Sequence, residues 1–225
     1  MSAQSLLDQL LQSGASALGG VRQAASGPDM GKYATGAAVG GVLGLLLGSR
    51  SGRRIGGKAL KYGSVAALGA LAWKAYQDQQ AQQQVHAGRT RAPAAPATLP
   101  AFAALPAPQV EVHSRAMLKA MIAAAKSDGH MDDRERGLID AEIGRLEPDP
   151  AIRSWVDIEL RRPLEPADVA AAADGPEMAA EIYLASVLVV DQTTTMERAY
   201  LDELARQLRL GDGLKADLEA RAAAA

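Results

Sequence analysis

Residues 36–56 read GAAVGGVLGLLLGSRSGRRIG, and glycine occupies every fourth position of this glycine-rich segment. On a helix, residues four apart lie on one face, so the pattern predicts a groove without side chains. In water each interior glycine costs a helix about 1 kcal/mol relative to alanine. In lipid the backbone must satisfy its own hydrogen bonds, and small residues let two helices approach closely. The segment is therefore typical of a glycine-zipper membrane helix, with a packing face formed by Gly36, Gly40, Gly44 and Gly48.

The residues around this segment predict how it meets a membrane. Residues 33–49 carry no charge, and this length is close to the minimum for a spanning helix, about 17 residues. A basic cluster follows, formed by Arg50, Arg53, Arg54, Lys58 and Lys61. A second apolar run at residues 62–73 begins and ends with aromatic residues of the kind found at membrane interfaces.

Two topologies are compatible with these runs. In one, both apolar runs cross the membrane as a hairpin. In the other, residues 33–49 form a single span and the chain continues along the surface. The positive-inside rule places the basic cluster in the cytoplasm in both cases. The two topologies place the C-terminal half on opposite sides of the membrane.

The first residues of the chain also have a helical pattern. Leucine occurs at positions 6, 7, 10 and 11, which predicts a short amphipathic helix within residues 2–18. Such a helix either lies in a membrane interface or packs against a partner.

Composition divides the chain into two parts of opposite charge. The net charge is +7 before Pro93 and −9 from Pro93 onward. Aromatic residues make up 4% of the chain and cysteine is absent. The low aromatic content favours helices over a sheet. The absence of cysteine excludes disulfides and thiolate metal ligands. The acidic half repels phosphate, so we expect no nucleic-acid partner.

Proline and glycine mark the predicted boundaries between domains. Residues 85–109 alternate proline and alanine, which predicts an extended, disordered linker. The linker separates a basic membrane-anchor region at residues 1–84 from an amphipathic helical region at residues 110–225. Turn signals divide the second region into seven short helices, enough for a core of its own. The predicted fold is all-α: a glycine-zipper membrane helix or hairpin followed by a seven-helix bundle.

Two similar turns connect helices in this bundle. The first acidic turn, residues 126–135, reads KSDGHMDDRE, and the second, residues 191–197, reads DQTTTME. Each contains a helix-capping residue with glutamate three positions later, the spacing of a capping box. The carboxylates therefore either cap helices or bind a divalent cation. The spacing differs from that of an EF-hand, because the twelfth position counted from Asp128 is Ile139.

These turns and the seven-helix pattern resemble the tellurite-resistance TerB-like superfamily. With the glycine-rich N-terminal half and the Pro/Ala linker, the chain resembles its bacterial inner-membrane branch of unknown function, the YebE-like proteins. The resemblance implies a TerB-like domain, a location at the bacterial inner membrane and a role in envelope or metal-ion stress. It also implies cation binding at the acidic turns, where the ligands by position are Asp128, Asp132, Glu135, Asp191 and Glu197.

The sequence contains no recognisable set of catalytic residues: it has no Ser-His-Asp arrangement, no P-loop and no nucleotide-binding fingerprint. We therefore expect a membrane-anchored binding or scaffold protein, not an enzyme. Its expected partners are the membrane and either a second copy or another membrane helix. The alternative is a divalent-cation-binding module that uses the acidic turns.

Overall fold

A computed structural model describes residues 2–10, 65–86, 107–129, 137, 139, 141, 143, 149–190 and 194–224. The described residues form helices and no strand, which confirms the all-α prediction. Residues 137, 139, 141 and 143 are helical, within one of the predicted helices. The other helices are α1 (residues 3–10), α2 (Val65–His86), α3 (Ala107–Ala125), α4 (Pro150–Arg161), α5 (Pro166–Ala170), α6 (Pro176–Val189), α7 (Thr195–Gln207) and α8 (Asp212–Ala224).

Helix α6 lies at the centre of the fold. Between residues 178 and 189 every side chain except Glu181 is buried. A helix that is apolar on all sides must be covered on all sides. Helices α2, α3, α5, α7 and α8 contact α6 and provide this cover.

Local signals explain where the helices begin. Asp149 is the N-cap of helix α4, and its side chain accepts a hydrogen bond from the N–H of Ala151 at 2.9 Å. Pro150 and Pro176 occupy the first positions of α4 and α6, where a helix needs no N–H donor. Pro108 lies in the first turn of α3 for the same reason. Helices α2 and α3 thus each extend slightly into residues 85–109, which the sequence predicts as linker.

Helix α1 packs into the same hydrophobic core as the C-terminal helices. Leu6 and Leu7 are fully buried, and Leu10 is nearly so. Leu6 and Leu10 line a small apolar cavity together with residues of α3 and α4. The N–H of Ala3 donates to Glu111 Oε2 of α3 at 2.8 Å, a favourable place for a carboxylate at a helix N-terminus. The leucines at positions 6, 7 and 10 therefore pack against the helical bundle of the same chain.

Helix α2 covers another side of α6. Ala72 and Ala75 are fully buried. Gly69 lies against Glu181, because a Cβ atom at this position would be 3.2 Å from Glu181 Oε1. Further along the helix, Asp78 forms an ion pair with Arg221 of α8 at 2.8 Å. The second apolar run of the sequence thus continues into a helix that packs on the bundle.

The predicted membrane segment lies outside the described residues. This applies to residues 33–49 and to the glycines at positions 36, 40, 44 and 48. Among the helices of the described part, none combines the length and apolarity that a membrane crossing requires. The glycine-zipper helix therefore stays a prediction.

Truncation of Leu6 tests whether α1 belongs to the core. Leu6→Ala removes a fully buried side chain, and such changes lower the free energy of unfolding by about 2–5 kcal/mol. We expect a loss in this range when the full chain is unfolded in urea and followed by tryptophan fluorescence. Gln9→Ala, at a partly exposed position of the same helix, is the control and should change stability by less than about 0.5 kcal/mol. Equal stability of Leu6→Ala and the unaltered chain would contradict the packing of α1.

Candidate functional site

The candidate site is the end of the bundle where the first acidic turn meets the start of α7. A Cβ atom at Gly129 would lie 3.0 Å from Cε of Met196. Met196 belongs to the second acidic turn and lies in the first turn of α7. The two acidic turns, which are similar in sequence, are therefore neighbours in space.

The described residues of the first acidic turn end helix α3. Ser127 is buried, and its hydroxyl donates to the carbonyl oxygen of Ala124 at 2.6 Å. Gly129 has a φ of +74°, the left-handed region that favours glycine, and its N–H donates to the Lys126 carbonyl at 3.0 Å. Asp128 lies between them and is partly exposed.

Lys126 connects this turn to the end of α4. Its Nζ donates to the backbone carbonyl of Glu159 at 3.2 Å and also to that of Arg162. The last carbonyls of a helix have no partner within it, and a cation there offsets the helix dipole. The Glu159 carboxylate is largely buried and pairs with Arg162 at 3.3 Å. Lys126 thus fixes the C-terminal end of α3 against that of α4.

The second acidic turn forms the capping box that the sequence predicts. Thr194 Oγ1 accepts a hydrogen bond from the N–H of Glu197 at 3.1 Å. The Glu197 carboxylate accepts in return from the N–H of Thr194 at 2.9 Å and from its hydroxyl at 3.0 Å. Glu197 is 5% exposed. Its carboxylate therefore stabilises the N-terminus of α7.

Two of the five predicted cation ligands belong to the described residues. Asp128 and Glu197 lie on the two neighbouring turns. Asp132, Glu135 and Asp191 lie outside the described residues. Within the part of the chain that the structure describes, no group of three or more His, Asp or Glu side chains is placed to hold a metal ion. The cation site stays a prediction, while capping by Glu197 is confirmed.

A polar cluster that was not predicted joins α6, α7 and α8. The buried Tyr183 donates its hydroxyl to Glu219 Oε1 at 2.7 Å. Lys215 Nζ lies 3.3 Å from the same oxygen and 2.9 Å from Asp202 Oδ1. Burial, with the hydrogen bond to Glu219, raises the pKa of Tyr183 above its usual value. The hydrogen bond to Asp202 raises the pKa of Lys215. The hydroxyl thus stays protonated and the ammonium charged at neutral pH, so the cluster serves to join helices. The feature of the sequence that indicates this cluster is the spacing of Lys215 and Glu219, which lie four residues apart on α8 and therefore on one face of the helix.

His113 belongs to α3 and lies inside the bundle. Its Nε2 is 2.5 Å from Glu181 Oε2, and both side chains are largely shielded from solvent. The pair connects α3 to α6, and Glu181 also faces Gly69 of α2. Three helices therefore meet at this carboxylate.

Comparisons with known proteins identify a family without a known activity. A family model described as "Protein of unknown function (DUF533)" matches residues 32–222. The chain is 30% identical over 106 residues to an "Uncharacterized protein in ampR 5'region" of Yersinia enterocolitica. That alignment covers 45% of this chain and 76% of the relative. No solved structure matches the chain. The family match includes both the glycine-rich segment and helices α2 to α7.

Replacing Gly129 tests the contact between the two turns. Gly129→Ala places a side chain in the left-handed region, which costs about 1–2 kcal/mol, and its methyl group meets Met196. We expect the free energy of unfolding to fall by at least this amount in urea titrations. Gly137→Ala is the matched control, because Gly137 is helical and exposed, with open space around its Cβ position. That change should raise stability by up to about 1 kcal/mol.

A second variant separates the contact from the backbone strain. Met196→Ala shortens the side chain that the new methyl group meets, so Gly129→Ala should be less destabilising in that background than alone. The same loss in both backgrounds would show that the cost comes from backbone strain at Gly129 alone.

Proposed function

The chain belongs to the family described as DUF533, whose function is unknown, and we propose that it is a membrane-associated binding or scaffold protein. In this proposal the glycine-rich segment contacts lipid and pairs with the same segment of a second copy or with another membrane helix. The face formed by Gly36, Gly40, Gly44 and Gly48 is the contact surface. The bundle holds this segment and supplies the surface for other partners.

The attachment of the glycine-rich segment to the bundle carries this proposal. Residues 11–64 connect α1 to α2, and both helices contribute buried side chains to the core. In the sequence the segment therefore lies between two helices that share one core. A core that includes the helices on both sides of an apolar, glycine-rich segment is suited to presenting it to a membrane.

We also propose that the chain belongs to the TerB-like superfamily. The first acidic turn, the second acidic turn and the order of the helices resemble TerB-like domains. This resemblance supports a location at the bacterial inner membrane and a role in envelope or metal-ion stress. We propose a binding function and no catalytic activity. The polar clusters at Tyr183 and Glu181 join helices to one another, which agrees with this.

Substitution of two zipper glycines tests the contact surface. Gly40→Leu with Gly44→Leu fills the groove on the predicted packing face, so close approach of two helices is prevented. We expect the oligomer of the full chain in detergent, measured by light scattering after size-exclusion chromatography, to dissociate. Gly41→Leu is the matched control, because it adds the same side chain off the four-residue repeat and should leave the oligomer intact. An oligomeric state that is the same in all three chains would contradict the proposed surface.

A second candidate function is divalent-cation binding at the acidic turns. The contact between Gly129 and Met196 favours it, because it brings the turns of Asp128 and Glu197 together. A cation that binds only the folded state raises its stability by mass action, about 2.7 kcal/mol at one hundred times the Kd. The test uses the full chain, since α1 and α2 complete the core.

The cation experiment needs variants that spare the helix cap. We expect millimolar Ca²⁺ or Mg²⁺ to raise the Tm of the unaltered chain above its value in NaCl of equal ionic strength. Glu197→Gln keeps an oxygen that can accept the capping hydrogen bond, so it should remove the cation effect and preserve most of the stability. Asp128→Asn should also remove the cation effect. An unchanged Tm in the unaltered chain would rule out this function.

A further inference from the structure

Helices α3 and α4 lie side by side and together expose one surface to solvent. Arg115 of α3 lies over the ring of Trp155 of α4, at 5.5 Å from the ring centroid. Further along both helices, Lys119 and Arg162 line the same small cleft. The α3–α4 face is formed by two rows of side chains, each on one side of its helix: Val112, Arg115 and Lys119 on α3, and Trp155, Ile158 and Arg162 on α4.

Two large apolar side chains of the α3–α4 face are exposed. Val112 is 64% exposed and Ile158 is 51% exposed. On α4 the buried residues lie on the opposite side of the helix from Ile158, so this side chain does not belong to the core. Along the helices, Arg115 follows Val112, and Ile158 lies between Trp155 and Arg162. Exposed apolar side chains next to basic and aromatic ones are typical of surfaces that contact the interfacial region of a membrane.

The surface around this face is basic, although the C-terminal half of the chain is acidic. Residues 107–126 and 150–162 carry six basic and three acidic side chains, whereas residues 176–224 carry five basic and nine acidic ones. Each of the three acidic side chains forms an ion pair with an arginine three or four residues further along the chain. Lys119 and the exposed Arg153 form no ion pair within the part of the chain that the structure describes. Their charges are therefore available to an anionic partner.

We propose that the α3–α4 face binds the surface of an anionic lipid bilayer. This inference rests on the membrane association proposed above and names the part of the bundle that meets the lipid. Anionic headgroups attract the basic side chains, and the exposed aliphatic side chains enter the boundary between headgroups and acyl chains. The same headgroups repel the acidic helices α6, α7 and α8, so the bundle is oriented with the α3–α4 face toward the bilayer.

The distribution of apolar side chains favours lipid over a folded protein as the occupant of this face. The centre of a protein–protein interface is apolar and depleted in charged residues. On the α3–α4 face, by contrast, Val112 and Ile158 belong to different helices and charged side chains accompany both. A bilayer interface accepts single apolar side chains among cations, because long basic side chains keep their charges at the headgroups.

The absence of cysteine in the chain allows a direct test with fluorophores on single-cysteine variants. Ser154→Cys places an environment-sensitive fluorophore beside Ile158, and Ala216→Cys places it on α8 as the control. Both positions are exposed, so labelling preserves the packing. The full chain is reconstituted with vesicles of phosphatidylcholine alone or of phosphatidylcholine and phosphatidylglycerol in equal parts. We expect a blue shift at position 154 in the anionic vesicles only, reduced by high salt, and none at position 216.

Charge reversal tests whether the basic side chains cause this shift. Lys119→Glu and Arg153→Glu break no ion pair of the described residues, so the fold should be retained, which thermal melting checks. We expect each change to abolish most of the blue shift at position 154, because a repelled charge replaces an attracted one. Arg209→Glu is the matched control, since it alters the net charge equally at an exposed position after α7. It should leave the blue shift intact.

The other outcomes identify which claim is wrong. A fluorophore at position 154 that stays in water, while the chain floats with the vesicles, would overturn this inference and leave the proposed membrane association standing. An equal blue shift in both kinds of vesicle, or its loss in Arg209→Glu as well, would overturn the role of the basic side chains. A blue shift that grows with protein concentration in the absence of lipid would overturn the lipid assignment in favour of a second copy. A chain that floats with neither kind of vesicle would overturn the membrane association together with this inference.

Discussion

Helix α6 is apolar on all sides, so the other helices must be arranged to cover it completely. Between residues 178 and 189 only Glu181 is not buried, so no side of this helix is available for water. The C-terminal helices do not complete the cover by themselves. Helix α2 adds Ala72 and Ala75 from a segment far away in the sequence, and α1 lines a small apolar cavity together with α3 and α4. Helices α1 and α2 are therefore structural parts of the bundle, and the glycine-rich segment lies between them in the sequence.

Polar contacts fix how these helices are arranged around α6. Glu181 faces Gly69 and pairs with His113, so it sets the position of α2 and α3 together. On another side Tyr183 binds Glu219 and thereby positions α8. A buried polar group that loses its partner is left without a hydrogen bond, and this costs about 1–3 kcal/mol. These pairs therefore favour one arrangement of helices over others with equally good apolar packing.

The sequence predicted the C-terminal helices well because their starts carry local signals. Pro150, Pro176 and the Thr194–Glu197 capping box each mark a start that the structure confirms. The location of α1 could not be predicted, because a leucine stripe suits a lipid interface and a protein core equally. The same holds for α2, because the apolar run in which it begins suits a membrane and a protein core alike. At the candidate site, capping by Glu197 follows from spacing alone. The contact of Gly129 with Met196 does not, since it depends on how α3 and α7 pack in the complete fold.

Helices α1 and α2 share one hydrophobic core with α6, so the three helices should unfold together as one cooperative unit. Native-state amide hydrogen exchange of the full chain measures this, because it reports the opening free energy of each helix. We expect amides of residues 7–10 and 69–79 to exchange through the same opening as those of residues 182–189. Their exchange should also accelerate together at low denaturant concentration. Exchange of the two N-terminal segments at the rate of an unfolded peptide, while α6 stays protected, would show that α1 and α2 do not belong to the cooperative core.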